Sequence, residues 1–391
     1  MESQLSYLSF HRHVKFMQRI GIYPINRNAS NIKKNLHLIY RCIILLMSFM
    51  YSSQQLLKIY EKRRDAEKVM EIMCLFITNV NFFYKIMVLK VKYDKVEEVL
   101  QITKGPIFNK GEKEHRVPLM RTIRDSLRII SSFNYISLFT AVLWSIRPVL
   151  ERYQGKEINI QIWLPFDTDV TCYFYICVLY WWIQVSILAA GNSIVDGFIA
   201  FLFEQCKTQI KILRLDLKNA VEKSKVAEIE TSDSFSNVLE EKLKNIIIHH
   251  KEIVKMTNIV QDIFGSSVFN QFLISGWILC TSAYSLVSAN TASLQFVQML
   301  FYICCMLIEL FMLCYYGNKL TFESNRLVEY AYESDWLEIP VKHRRLLIAF
   351  MERIKRPIQP TAGSFIPLSN NTFISIIRSS YTFYAFLKNS N

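Results

Sequence analysis

Residues 172–203 read CYFYICVLYWWIQVSILAAGNSIVDGFIAFLF, a run made mostly of apolar and aromatic side chains. About 20 apolar residues in a helix cross roughly 30 Å of hydrocarbon, so this segment is long enough to span a bilayer and continue past it. Similar blocks recur at roughly 36–57, 69–89, 127–149, 262–287, 294–316 and 369–388. The chain therefore reads as an all-α membrane protein with seven transmembrane helices.

Composition agrees. Of the 391 residues, 51% are hydrophobic and 14% aromatic, and the mean hydropathy is positive, which soluble folds rarely combine. The net charge of +13 is not accompanied by a zinc pattern, a helix-turn-helix signature or a ribonucleoprotein motif. A basic collar facing anionic headgroups explains it without a nucleic-acid partner. Cys42, Cys74, Cys172, Cys177, Cys280, Cys304, Cys305 and Cys314 lie within or at the ends of apolar blocks and Cys206 follows one, so no disulfide framework is readable. Residues 1–35 lack the apolar core and cleavage site of a secretory signal, which leaves the first span to direct insertion.

With the N-terminus placed inside, most lysines and arginines fall in the inner segments, against the trend of Lys58, Lys62, Arg63, Arg64 and Lys68 in the first outer loop. Both glycosylation sequons, at Asn28 and Asn370, lie on inner segments or the inner edge of a span, and the outer loops carry none. Seven spans then put the C-terminus outside, the reverse of a G-protein-coupled receptor. From Glu204 to Asp262, apolar residues recur at helical spacing (Ile210, Leu213, Leu217, Val221, then Leu243, Ile246, Ile247, Ile253) among balanced charges. Spans four and five are thus expected to continue into the cytoplasm. Leu320, Leu327, Tyr330, Ala331 and Trp336 repeat the pattern before Pro340, Pro357 and Pro360 break it; the two segments together suit a cytoplasmic helical anchor. The polar stretch Glu228–Ser236 reads as a disordered loop.

Enzymatic readings fail early. His249-His250 has no H-E-x-x-H frame, no G-x-S-x-G elbow occurs, and ten glycines make a phosphate cradle a poor prospect. Adjacent histidines point to different faces of a helix, so this pair reads as solvated and neither metal nor cofactor is expected.

Tyr173, Phe174, Tyr175, Tyr180, Trp181 and Trp182, with Cys177 among them, crowd the outer half of the fourth span. An interfacial aromatic belt and the wall of a pocket for a small apolar molecule explain this density about equally well. Matching material stands on the outer halves of the second span (Met73, Phe76, Ile77), the third (Phe139, Leu143, Trp144) and the sixth (Phe296, Met299, Leu300, Tyr302). In the last span, Ser375, Ser379, Thr382 and Phe386 follow i, i+4, i+7 and i+11 and share one stripe, with Arg378 beside it. Interhelical hydrogen bonding accounts for such hydroxyls; so does a wet pore wall with Phe386 as its apolar constriction, provided several subunits surround an axis.

Gly317, Ser324, Ala331-Tyr332, Trp336, Arg344-Arg345, Met351, Arg353, Pro357, Thr361-Ala362-Gly363, Phe365, Ser369, Thr372-Phe373 and Ser380-Tyr381 stand in the order and spacing of the insect odorant receptor family. Gly21-Ile22-Tyr23-Pro24, Gln205, Leu213 and Leu217 add weaker matches upstream, so the chain resembles that family over nearly its whole length. Thr372-Phe373 is not followed by the Gln-Phe of gustatory relatives. The chain is also unlike the family's coreceptor, which has a longer insertion between spans four and five and a more apolar final helix.

The resemblance implies a tuning, odorant-binding subunit. Such a subunit joins the coreceptor in a heterotetrameric nonselective cation channel of the plasma membrane of olfactory neuron dendrites. It binds a small volatile hydrophobic molecule among the outer halves of spans two, three, four and six, and its last helix borders the permeant cations, with Phe386 at the gate position. The chain then divides into a cytoplasmic N-terminal segment (1–35), a ligand-binding bundle (36–203), a cytoplasmic extension (204–261), spans five and six (262–316), an anchor helix and linker (317–368) and a pore-lining helix with the C-terminus (369–391). A seven-helix G-protein-coupled chemoreceptor is the alternative; a secondary transporter would show inverted repeats that are not visible.

Overall fold

Apart from one short hairpin, regular structure is helical throughout the residues described by the computed structural model, which leaves out 1–3, 26–28, 156, 157, 159, 167–169, 232, 233, 289–292, 335 and 391. In chain order the helices are α1 (Leu5–Arg19), α2 (Asn31–Glu61), α3 (Ala66–Val91), α4 (Tyr93–Lys104), α5 (Lys113–Tyr153), α6 (Thr171–Lys218), α7 (Ala220–Thr231), α8 (Phe235–Ser288), α9 (Leu294–Glu333), α10 (Val341–Ile354) and α11 (Asn370–Ser390). Strands β1 (Thr361–Ala362) and β2 (Ile366–Pro367) pair antiparallel just before α11. Among the described residues, six helices, α2, α3, α5, α6, α8 and α9, are long and apolar enough to cross a membrane. The seventh, α11, is the polar one, carrying Asn370, Asn371 and Arg378.

Length has consequences here. At 1.5 Å per residue, the 48 residues of α6 run to about 72 Å and the 54 of α8 to about 81 Å, more than twice a hydrocarbon core. Each must therefore project well beyond the bilayer, and both are unbroken, as the apolar spacing after residue 204 suggests. The axis of the bundle is α6: every side chain from Gly191 to Ile210 is buried, since α1, α5, α8 and α9 pack around it. At the periphery, α2 leaves Leu36, Ile39, Ile43, Leu46 and Phe49 exposed, an apolar face of the kind lipid covers.

Local signals place several ends. The Asp65 carboxylate accepts the Lys68 N–H at 3.2 Å to start α3, and Ser293 Oγ accepts the Phe296 N–H at 3.2 Å to start α9. Within 1–35, α1 was not foreseen; Phe10, Val14 and Met17 recur at helical spacing and are buried against α5 and α6.

Two expectations are corrected. Glu228–Ser236 is helical up to Thr231 and again from Phe235, whose N–H is held by Glu228 Oε1 at 3.2 Å, with 232 and 233 outside the described residues; α7 packs on α8 through Ala220, Val221 and Ser224 and its helix continues into the polar stretch. His249 and His250 are buried, not solvated. His249 Nε2 sits 2.9 Å from Gln209 Oε1, while the His250 ring meets Phe350 edge-on at 5.5 Å. Burial pushes their pKa values down, to about 3 and about 4, so both are neutral. Different neighbours cover the two faces of α8 at this level, which one helix read alone does not reveal.

The hairpin seats α11. Gly363, at φ +59°, adopts the left-handed conformation that glycine tolerates best, and its N–H donates to Gly265 O on α8 at 2.9 Å. On α9, a Cβ added to Gly317 would lie 2.4 Å from Leu368 Cβ and 3.1 Å from its carbonyl oxygen, so only glycine lets this backbone close on Leu368, two residues before α11 begins. Gly317→Ala is expected to cost about 1–3 kcal/mol through overpacking, read as a lower thermal midpoint of detergent-extracted protein; an unchanged midpoint would contradict the close approach.

Candidate functional site

Between α3, α5, α6 and α9 lies a cavity of about 70 Å³. Its walls are mostly apolar, including Phe133, Leu188 and Met306, and the Trp144 and Tyr302 rings, in edge-on contact with centroids 6.0 Å apart, form part of them. Trp144 is 1% exposed. Tyr302 is held in place by its hydroxyl, 2.9 Å from Thr78 Oγ1. Further hydroxyl, thiol and amide groups come from Ser137, Thr140, Cys305 and Asn192.

One end of the cavity rests on buried charge. Lys85 Nζ on α3 lies 2.7 Å from Asp196 Oδ2 on α6, 3.0 Å from Glu309 Oε1 on α9 and 3.1 Å from Asn192 Oδ1. All three ionisable residues are at most 5% exposed. Charges are costly in such surroundings unless they are paired and hydrogen-bonded, and this cluster ties three membrane-length helices together. At the opposite end, near the start of α3, Glu71 Oε1 accepts from Gln295 Nε2 at 2.5 Å, Glu71 Oε2 accepts from Gln161 Nε2 at 3.3 Å, and Arg147 Nη1 lies 3.5 Å away. Through Gln161 this second network reaches the connection between α5 and α6, where Ile160 and Ile162 are also buried.

Of the residues singled out in the sequence, Trp144 and Tyr302 meet in the cavity. Cys177, Trp181 and Met299 are buried elsewhere in the bundle, and Met73, Phe76, Ile77, Leu143 and Phe296 are half-buried beside it. Tyr180 donates to Gln54 Oε1 at 3.0 Å. Tyr173, Phe139 and Leu300 face outward; the Tyr173 ring stacks on Phe166 and that of Phe139 meets Phe301. The aromatic run of the fourth span thus divides, with Phe174 and Trp181 inward and Tyr173, Tyr175 and Trp182 outward. Sequence reasoning missed Lys85, Asp196 and Glu309, although an ionisable residue inside each of three apolar spans is itself a signal of a shared polar site.

Helix α11 lies against α8 and α9. Ser380 Oγ sits 3.0 Å from Gly276 O, and the Phe373 ring meets Phe311 at 5.4 Å. The opposite face carries Ser375, Arg378, Ser379, Thr382 and Phe386, all exposed, Phe386 at 66%. An open groove of about 920 Å³ runs beside this face between α11 and α8.

Elsewhere, Glu112, His115 and Asp216 bring metal-type ligand atoms together, but Lys110 Nζ already lies 2.6 Å from Asp216 Oδ2 and Lys223 pairs with Glu112. Burial alone would raise the Asp216 pKa; the hydrogen bond from His115 and the Lys110 charge outweigh it and hold the carboxyl down at about 2. This is an ion cluster fastening the end of α6.

Comparison with known proteins gives a consistent result. The family model described as 7tm Odorant receptor matches residues 65–381. Odorant receptor 94a of Drosophila melanogaster is 26% identical over 258 residues, 65% of this chain and 64% of that relative, so the match spans just under two thirds of its length. Odorant receptor Or1 of Anopheles gambiae is 19% identical over 399 residues, covering 97% of this chain and 95% of the relative. Among solved structures, the insect olfactory receptor OR5 from Machilis hrabei superposes with a TM-score of 0.83 at 16% identity, covering 97% of each chain, and does so equally in its complex with eugenol.

Proposed function

Because the chain belongs to the seven-transmembrane odorant receptor family, we propose that it is an odorant-binding subunit of a ligand-gated nonselective cation channel, assembled with a coreceptor subunit as a heterotetramer. Its N-terminus is cytoplasmic and its C-terminus extracellular. A small volatile hydrophobic molecule occupies the cavity between α3, α5, α6 and α9, and α11 lines the pore.

The pore reading is carried by one observation: the face of α11 bearing Ser375, Ser379, Thr382 and Phe386 stays uncovered within the chain, although hydroxyl-rich and charged surface is poorly tolerated by lipid. Water and neighbouring subunits around a common axis satisfy it. In the related Machilis hrabei receptor a eugenol complex exists; here the largely apolar cavity lined by the Trp144 and Tyr302 rings supports a ligand site of the same general kind. Binding opens the pore only to the extent that the ligand binds the open arrangement more tightly than the closed one. Helix α9 offers a route, since it lines the cavity at Tyr302 and Glu309 and touches the approach to α11 at Gly317.

The test is to record currents in cells expressing this chain with and without a coreceptor, against an odorant panel. Odorant-dependent cation current that requires this chain is expected; a response that needs G-protein coupling and yields no current of its own would overturn the reading. For the cavity, Trp144→Ala is expected to raise half-maximal odorant concentrations by at least about tenfold, equivalent to about 1.4 kcal/mol, with the complex still at the surface. Trp144→Phe, which keeps much of the packing, should shift them less. Dose-response curves unaltered across all active odorants would remove this cavity from consideration.

A further inference from the structure

We infer that the cavity selects small amines, bound as ammonium ions by Glu309 with the Trp144 and Tyr302 rings alongside; this rests on the proposal that the cavity is the ligand site.

The starting point is a charge count. Lys85 supplies one ammonium, and Asp196 and Glu309 bring two carboxyl groups to it. A buried lysine needs one acid as its partner, and Asp196 makes the shorter contact, 2.7 Å against 3.0 Å. The second acid is surplus to the pairing, and burying an uncompensated carboxylate is costly. Of the two, Glu309 is the one that borders the cavity, and among the described residues no lysine, arginine or histidine joins it in the lining. Whatever neutralises the surplus carboxylate, a proton or a cation, is reachable from the cavity.

The rest of the lining suits a cation. Trp and Tyr faces attract ammonium groups, Trp most strongly, and the attraction grows where water is excluded. Asn192 and Thr140, which also border the space, have oxygens able to accept further N–H bonds. The remaining walls are apolar and match a short hydrocarbon tail. At about 70 Å³ the space holds on the order of five water-sized groups, which limits the ligand to a small molecule unless side chains move.

Proton and charge balance without any external agent. A volatile amine arrives as the neutral free base; its nitrogen takes up the proton held by the carboxyl pair, an N–H bond forming as a carboxyl O–H bond breaks. The resulting ammonium–carboxylate pair carries the same total charge as the empty site, so no net charge has to be carried into the bilayer.

Currents from the chain expressed with a coreceptor test this against matched series of primary n-alkylamines and n-alkanols from propyl to hexyl. Half-maximal concentrations are expected to be at least about tenfold lower for the amines, and Glu309→Gln is expected to erase that preference when the two series are compared within the same variant. Glu309→Asp, which keeps the charge but withdraws it by one methylene, serves as the second variant and should reduce the preference less. Equal potency of the two series in the unsubstituted protein, silence toward amines, or an identical shift of both series in Glu309→Gln would each overturn the amine assignment. Should alkanols or other odorants act with their potency moved by Trp144→Ala while amines hold no advantage, the cavity stands and the amine inference falls. If amines and alkanols both act and Trp144→Ala moves neither, the cavity itself fails. The comparison in the unsubstituted protein decides the amine question even where neither variant reaches the surface.

Discussion

Replacing Lys85 with methionine is expected to remove most of the protein from the cell surface. The change leaves Asp196 and Glu309 in the same buried position with no ammonium between them. Deleting one member of a buried ion pair costs about 3–5 kcal/mol, set against a net stability of about 5–15 kcal/mol for a typical folded domain. The same residues predict their own rescue. Replacing a whole buried ion set by neutral groups of similar volume is often close to neutral, so Lys85→Met combined with Asp196→Asn and Glu309→Gln should recover a substantial part of the surface population. Surface biotinylation, with the thermal midpoint of the extracted complex, reads both results. Normal surface levels for Lys85→Met alone would mean that the cluster does not hold α3, α6 and α9 together.

The second large effect concerns permeation. Changing Ser375, Ser379 and Thr382 together to leucine is expected to lower the current at saturating odorant by at least about tenfold, because an apolar wall favours dewetting of a narrow pore. Surface levels should hold, since these side chains are exposed on the free face of α11 and Thr382 bonds within its own helix, to Arg378 O at 3.0 Å. Phe386→Ala, which removes an exposed ring from the same face, should raise ligand-independent current. Unchanged permeation and block in the triple variant would separate α11 from the ion path, leaving its hydroxyls to interhelical contacts.

The helices were largely legible before any tertiary information. The expected spans 69–89 and 294–316 fall within α3 and α9, and 369–388 begins one residue before α11, since apolar length and polar interruption are properties of a local window. Long continuous helices beyond spans four and five also followed from local spacing. What went unseen had its signal elsewhere: α1 is stabilised by burying Phe10, Val14 and Met17 against distant helices, and α7 is anchored on α8 through its buried first turns, Ala220, Val221 and Ser224, from which the helix runs on into its exposed polar end.

At the candidate site, the helices singled out in the sequence are those that border the cavity, but the residues singled out on them fall on a mixture of faces. Trp144 and Tyr302 point into the cavity, whereas Tyr173, Phe139 and Leu300 look outward. In a soluble protein the polar side of a helix would have marked which way it turns. In a bilayer the lipid-facing side is as apolar as the core-facing one, so that mark is missing. The amino-acid sequence alone therefore determined that this chain crosses a membrane as a helical bundle, which family it resembles and which helix is too polar to face lipid. Only the tertiary structure decided the rotation of each helix, the meeting of Lys85, Asp196 and Glu309 from three separate spans, and the burial of His249 and His250, because each depends on groups far apart in the chain that only packing brings within a few ångströms.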